Sequence, residues 1–181
     1  DEFGDSGPLA AILDGGQSEV GIESTILDLS RLDTHGPVLL RPGGVSADEI
    51  ERVLGIAPQS PDAAAPRASG TLEAHYAPGT PVALVAPEHL AAVLKQLAVA
   101  GRKAALLLRT VPQAEAAAAV VLPENPQGYA HDLYAALRAM DGLAADIILV
   151  EALPTGEAWR GVNDRLRRAA HDSQGVLDRL L

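Results

Sequence analysis

The sequence predicts an α/β protein whose larger part is a small open parallel sheet covered by helices on both faces. Three observations carry that prediction. Past residue 80, nearly continuous apolar runs at residues 82–86, 104–108, 120–122 and 147–150 alternate with segments of helical period, the pattern of parallel strands buried on both sides. Apolar residues make up 48% of the chain and aromatics 3%, so the core is built from Ala, Val, Leu and Ile. At 181 residues the chain is long enough for one domain or two small ones.

Taken in order, residues 9–13 form a short apolar run closed by Asp14-Gly15-Gly16, which reads as a strand entering a tight turn. So few residues precede it that the first block is expected to be the end of a domain whose beginning lies elsewhere. Residues 21–29 mix β-branched side chains with alternating polarity and predict a strand whose entry presents Glu23, Ser24 and Thr25. Hydroxyls there can bind a ligand or close a turn, and taken alone they favour the turn. Residues 37–40 predict a third strand running straight into Arg41-Pro42-Gly43-Gly44. Pro removes a backbone donor and the glycines allow close approach, so the Arg41 guanidinium could meet a phosphate or carboxylate with paired donors. A surface pairing with one of the many nearby carboxylates is the reading that leads for such an arginine taken alone. Ser46-Ala-Asp-Glu49 has the form of a capping box and predicts a helix reaching about Gly55.

A Pro-, Ala- and Ser-rich stretch at residues 56–66 leads into Ala68-Ser-Gly-Thr-Leu-Glu-Ala-His75-Tyr76-Ala-Pro78, a short polar segment between two unlike blocks. His75 beside Tyr76 either docks onto a domain surface or carries chemistry. Beyond it, Leu90, Val93, Leu94, Leu97 and Ala98 fall at helical spacing within residues 88–100, ending at Gly101. Leu133, Leu137 and Met140 do the same in a helix from about Ala130. Val162, Leu166, Ala169 and Ala170 mark a last helix, with Arg165, Arg167 and Arg168 displayed away from that stripe; a solvated face is the leading reading, with tRNA, the first domain or a twin subunit as the other faces it could meet. Trp159, in the loop before it, is read as a packing anchor. No Gly-x-Gly-x-x-Gly follows the strand at 82–86 and no Gly-Lys-Ser/Thr loop occurs, so the sheet is not expected to hold a cofactor.

Charge is unevenly held. Residues 1–78 carry 13 acidic side chains against 4 basic, whereas residues 79–181 carry 11 against 10. The acidic first block argues against strong nucleic-acid binding by this chain alone. With no cysteine, disulfides, thiolate metal sites and a cysteine nucleophile are excluded. The histidines, His35, His75, His89, His131 and His171, lack metal-ligand spacing, so no protein metal site is expected. The longest purely apolar run, residues 116–122, is far short of a membrane span, and no basic-then-apolar leader opens the chain. A soluble, cytoplasmic protein is the expectation.

The order Asp14-Gly-Gly, Gly-Ile-Glu-Ser24-Thr-Ile-Leu-Asp, Leu-Arg41-Pro-Gly-Gly, capped helix, His75-Tyr76-Ala-Pro closely resembles the longer form of the YrdC-like threonylcarbamoyl-AMP synthases. Four motifs in register carry the likeness. It implies that residues 1–55 are the C-terminal part of a YrdC-like α/β domain, 56–80 an interdomain linker, and 81–181 a small Rossmann-like open parallel sheet domain. The implied activity condenses L-threonine, bicarbonate and ATP into threonylcarbamoyl-adenylate and pyrophosphate. That product feeds a tRNA-modifying transferase machinery that makes threonylcarbamoyl-adenosine. Carried over by position, Ser24 contacts the threonine, Arg41 and Tyr76 contact the ATP, and His75 is a neighbour in the lid. No catalytic residue is assigned, and magnesium arrives with the ATP. The family's early basic residues and its Ser-Ala-Asn segment fall outside these residues, and Leu72-Glu73-Ala74 stands where many relatives carry basic residues. The fragment alone is therefore expected to be inactive. The alternative is a non-catalytic module that binds a nucleotide or a partner.

Overall fold

The computed structural model describes residues 10–11, 13–70, 77–111, 118–171 and 173–181. Its first block is built on β1 (Ile26–Asp28) and β2 (Val38–Arg41), an antiparallel pair joined through the single turn α1 (Leu32–His35). Ile26 pairs with Arg41 but Leu27 pairs with Leu39, so the ladder skips Leu40. Such a bulge kinks one strand and re-aims the side chain beside it, here Arg41.

Two sequence expectations shift in this block. The strand expected over residues 21–29 is shorter and begins only at Ile26, because residues 21–25 turn along the second block instead. Residues 10, 11 and 13 are not in a strand, and residues 9 and 12 of that expected run lie outside the described residues. The helix α2 (Ala47–Leu54) starts where the capping box predicts. The Glu49 N–H donates to the Ser46 hydroxyl at 3.2 Å, and the Ser46 N–H donates back to the Glu49 carboxylate at 2.8 Å. Gly55 ends it with φ 73°, the left-handed conformation that glycine adopts without strain.

The segment after α2 is tied down at both ends. Gln59 extends the small sheet: the Leu39 N–H donates to its carbonyl at 2.9 Å and its own N–H donates to the Pro37 carbonyl at 2.8 Å. Arg31 grips Asp62 through two donors at 3.0 and 2.8 Å. At the far end, the Gly79 and Thr80 N–H groups donate to the Asp141 carboxylate at 3.1 and 2.7 Å.

The second block is a four-stranded, all-parallel sheet of β3 (Val82–Val85), β4 (Ala104–Leu108), β5 (Ala119–Val121) and β6 (Ile147–Glu151), in the order β3-β6-β4-β5. One face packs α3 (Pro87–Val99) and α6 (Ser173–Leu180) through Leu90, Leu97 and Leu177 against Leu106, Leu108, Ile147 and Leu149. The other packs α4 (Pro126–Asp141) and α5 (Arg160–Ala169) through Leu133, Leu137 and Leu166 against Leu107, Ile148 and Val150. Alternate residues of one strand thus feed two cores, which is why both sets must be apolar. Helix α4 begins at Pro126, earlier than hydrophobic spacing indicates, because the Asn125 side chain accepts the Gly128 N–H at 2.7 Å and Pro suits the first helical turn.

The two blocks share one core. Ile22, 8% exposed, lies in the cluster with Ala130, Trp159 and Val162. Glycines let the backbones touch: a Cβ at Gly21 would stand 2.3 Å from the Ala130 carbonyl oxygen, and one at Gly161 would stand 2.6 Å from that of Gly43. No helix among the described residues is long and apolar enough to cross a membrane.

Candidate functional site

The site is assembled at the ends of β1 and β2. Arg41 closes β2 and is 7% exposed. Its Nε and Nη2 donate to the Ser24 carbonyl at 3.1 and 2.9 Å, and its Nη1 donates to the Ser69 carbonyl at 2.8 Å. The Ser24 hydroxyl is a further 3.4 Å contact of Nη2. One buried guanidinium therefore joins the predicted threonine contact to the segment leading toward His75. No carboxylate among the described residues pairs with it. A buried cation held only by neutral acceptors keeps its charge uncompensated and favours an anion alongside.

The strand mouths are pinned to each other. The Thr25 hydroxyl donates to the Val45 carbonyl at 2.7 Å and accepts its N–H at 3.1 Å. A Cβ at Gly43 would lie 2.3 Å from the Thr25 nitrogen, so only glycine lets this loop lie against the Ser24–Thr25 peptide. Gly70 adopts φ 68°, and a Cβ there would meet Arg41 Nη1 at 2.7 Å. Ser24 is exposed and lies on the rim of a cavity of about 630 Å³ between the blocks. Thr25 and Gly44 line it from the first block; Gln127, Ala158 and Val162 line it from the second. The structure thus brings Ser24 and Arg41 together, while His75 and Tyr76 lie outside the described residues.

A family model described as threonylcarbamoyl-AMP synthase, C-terminal domain, matches residues 45–171. The chain belongs to this family. It is 33% identical over 180 residues to a threonylcarbamoyl-AMP synthase of Pyrococcus abyssi, covering 91% of this chain and 50% of the relative. Against the Bacillus subtilis protein of the same name it is 30% identical over 177 residues, covering 91% and 49%. The chain therefore spans about half the length of the curated relatives it matches. A crystal structure of Pyrococcus abyssi Sua5 complexed with L-threonine aligns with TM-score 0.75 and 30% identity over 87% of this chain and 48% of that one. A Pyrococcus abyssi Sua5 variant with an adjacent histidine and tyrosine both replaced by alanine aligns at TM-score 0.71 and 29% identity, covering 87% and 47%.

In this member of the threonylcarbamoyl-AMP synthase family, the helix read as a solvated basic face is instead turned into the interface. Arg165 and Arg168 are 3% and 7% exposed, and of the three only Arg167 has a mostly open side chain. Arg168 donates to Asp164 at 2.9 and 3.1 Å. Arg165 reaches across to Glu23, donating from Nε at 2.6 Å. The Tyr134 hydroxyl also donates to Glu23, 3.1 Å from each carboxylate oxygen. Burial alone would raise the Glu23 carboxyl, but the hydrogen bond and charge of Arg165 outweigh it and hold the group below its usual range. Sequence reasoning noted Glu23 without a partner. The signal for Arg165 was present, since it stands three residues after Val162 and four before Ala169, inside the buried stripe.

Trp159 does serve as a packing anchor. It is 8% exposed, meets Tyr129 edge-on at 5.7 Å, and carries the Arg109 guanidinium 5.5 Å above its ring. Glu151, fully buried at the end of β6, caps the loop that follows the adjacent strand β4 by accepting the N–H groups of Arg109, Thr110 and Val111 at 2.7, 2.9 and 3.1 Å and the Thr110 hydroxyl. That use of the sheet's C-terminal edge is structural: its carboxylate is saturated by the chain itself.

Proposed function

We propose that this chain supplies the Ser24–Arg41 side of a threonylcarbamoyl-AMP synthase site. The observation that carries the reading is the buried, carboxylate-free Arg41 guanidinium clamped onto the Ser24 carbonyl. Ser24 contacts the L-threonine substrate, Arg41 faces the ATP phosphates, and Tyr76 reaches the nucleotide from the linker with His75 beside it. The adjacent histidine and tyrosine altered in the Pyrococcus abyssi variant support giving this pair attention.

The chemistry suits such a site. The threonine amine and bicarbonate combine, with loss of water, to a carbamate. A carbamate oxygen then attacks the α-phosphorus of ATP, the bond to the bridging oxygen of the β-phosphate breaks, and pyrophosphate leaves. Nothing covalent is required of the protein; positioning, neutralisation of phosphate charge and exclusion of water suffice. Magnesium comes with the ATP and needs no protein ligand from this chain. The threonylcarbamoyl-adenylate is consumed by a transferase acting on tRNA. The protein works in the cytoplasm as a transferase of nucleotidyl groups, and its residues divide into a partial YrdC-like domain at 1–55, a linker at 56–80 and the sheet domain at 81–181. Without the remaining half of the relatives' length, these 181 residues do not turn over.

The test is product formation from L-threonine, bicarbonate and ATP by the complete protein carrying this chain, read as threonylcarbamoyl-adenylate by mass spectrometry. Arg41→Met is expected to lower kcat/KM for ATP by about a hundredfold or more, because a charge-assisted contact in a desolvated site is worth roughly 1.5–3 kcal/mol and the Ser24 clamp is lost with it. Tyr76→Ala is expected to weaken product formation more than it weakens folding. Nucleotide binding by the complete protein with no product would instead favour a binding module.

A further inference from the structure

Arg165 is the side chain through which the second block grips both segments that carry the site. On the first block it takes Glu23 twice, through the carboxylate at 2.6 Å from Nε and through the main-chain carbonyl at 3.0 Å from Nη2. Its Nη1 donates to the Pro42 carbonyl at 2.7 Å and to its own neighbour Asp164 at 3.0 Å. Glu23 immediately precedes Ser24, and Pro42 immediately follows Arg41. The carbonyls of Glu23 and Ser24 are thus held by two different guanidiniums, Arg165 and Arg41. Both peptide planes that set the direction of the Ser24 side chain are fixed from outside the strand.

The brace is built to be rigid. Arg165 is 3% exposed, Asp164 holds both Arg165 and Arg168, and Tyr134 braces Glu23 from α4. One turn earlier on the same helix, Gly161 lies against the Gly43 carbonyl, so α5 cannot slide toward the loop. The planar fork of arginine serves four acceptors here, one more than the three donors of a lysine ammonium, and from nitrogens spread too widely for one ammonium to match.

We propose that Arg165 is a positioning residue of the synthase site, acting through Glu23 and Pro42 to hold Ser24 and Arg41 in register for L-threonine. The inference rests on the reading of Ser24 and Arg41 as substrate contacts. It gives the second block a definite role, in which a sheet without a phosphate loop serves the chemistry through one arginine.

The experiment compares Arg165→Met, Arg165→Lys and Arg167→Met in the complete protein, with steady-state kinetics for L-threonine and thermal unfolding measured on each. Arg165→Met is expected to raise KM for L-threonine at least about tenfold in the folded fraction, since misplacing a contact by about 1 Å can cost roughly a hundredfold. Arg165→Lys is expected to recover part of the midpoint temperature while KM stays raised at least about threefold, because one ammonium cannot hold both the Glu23 and the Pro42 carbonyls. Arg167→Met removes an exposed neighbouring charge and is expected to leave KM within about twofold. Should Arg165→Met not fold, Arg165→Lys carries the test alone. A folded Arg165 variant with wild-type KM for L-threonine overturns the proposal while leaving the synthase reading intact. A wild-type protein that makes no threonylcarbamoyl-adenylate overturns the functional reading, and the role of Arg165 falls with it.

Discussion

The contact between Gly161 and the Gly43 carbonyl can be perturbed by a single methyl group. In Gly161→Ala the new Cβ would begin 2.6 Å from the Gly43 oxygen, 3.1 Å from its carbonyl carbon and 3.2 Å from Ile22 Cδ1. An ordinary carbon–oxygen contact is about 3.3 Å or more, so helix and loop must part by about 0.7 Å. Arg165 sits one turn along the same helix and donates to the adjoining Pro42 carbonyl at 2.7 Å. The same displacement would stretch that bond to roughly 3.4 Å, beyond the usual limit of about 3.2 Å. Overpacking of this kind costs about 1–3 kcal/mol, and a weakened charge-assisted bond adds about 1–2 kcal/mol. Alanine gains up to about 1 kcal/mol over glycine within a helix, which does not reverse the sign. The net loss of about 1–5 kcal/mol corresponds to a midpoint lowered by about 2–20 °C for a chain of this size. The reference substitution is Gly142→Ala. Gly142 has φ −74°, and a Cβ there would meet nothing nearer than 3.6 Å, so the gain of about 0.4–1 kcal/mol from a stiffer unfolded chain applies. Thermal unfolding by circular dichroism of both variants decides the matter. A Gly161→Ala midpoint at or above that of Gly142→Ala would refute the close packing of α5 on the Gly43 loop.

Acid should loosen the same interface, and with it the loop that Glu151 caps. Burial would raise Glu23, Asp164 and Glu151, but arginine contacts at the first two, and the Thr110 hydroxyl with three backbone N–H groups at the third, hold all three carboxyls below their ordinary values. A folded-state value below the unfolded one gives stability that is present above the unfolded value and lost as pH falls through the folded one. Urea unfolding is therefore expected to give constant stability near neutrality and a decline beginning around the ordinary carboxylate values of 3.8 and 4.5; a flat profile down to the acid limit would contradict the assignment. Glu151→Gln turns one acceptor into a donor facing backbone donors, and an unsatisfied buried group costs about 1–3 kcal/mol, measurable in the same titration. Tyr129→Phe runs the other way. The Tyr129 hydroxyl is fully buried without a hydrogen-bond partner among the described residues, so its removal is expected to be neutral or stabilising by up to about 1 kcal/mol. A loss larger than about 1 kcal/mol in urea unfolding would reveal a partner for that hydroxyl.

Local chemistry made some elements readable from sequence. β4 is five consecutive apolar residues, AALLL, and all five are buried, because each face of the strand meets its own helix layer. The Ser46–Glu49 box and Gly55 mark both ends of α2 by hydrogen bonding and backbone conformation alone. Ser24 and Arg41 stood out through the order of the motifs that hold them; taken alone, the hydroxyls favour a turn and the guanidinium a surface pairing with a carboxylate. What the sequence did not convey was direction. Arg165 and Arg168 look like surface charges to any rule that ranks residues by polarity. Their burial depends on Glu23, 142 positions away from Arg165, and on Asp164, whose carboxylate alone would read as another surface group. A long-range ion pair of this kind leaves no periodic trace; only the position of Arg165 within the 162–166–169 stripe hinted at it.

That long-range pair also decides how the two blocks depend on each other. A buried guanidinium stripped of its carboxylates is costly, commonly by about 3–5 kcal/mol for breaking a buried pair. α5 is therefore better satisfied when docked on Glu23 than when left open, while Glu23 keeps its charge because Arg165 and Tyr134 meet it. The first block contributes a two-stranded sheet with few buried residues of its own, chiefly Ile22, Val38, Leu39 and Arg41, and a pair of strands is at best marginally stable alone. Its strand mouth is shaped by what it leans on. The Ser24–Arg41 geometry accordingly belongs to the contact between blocks: Arg41 and Gly43 set it from within, Arg165 and Gly161 from across the interface.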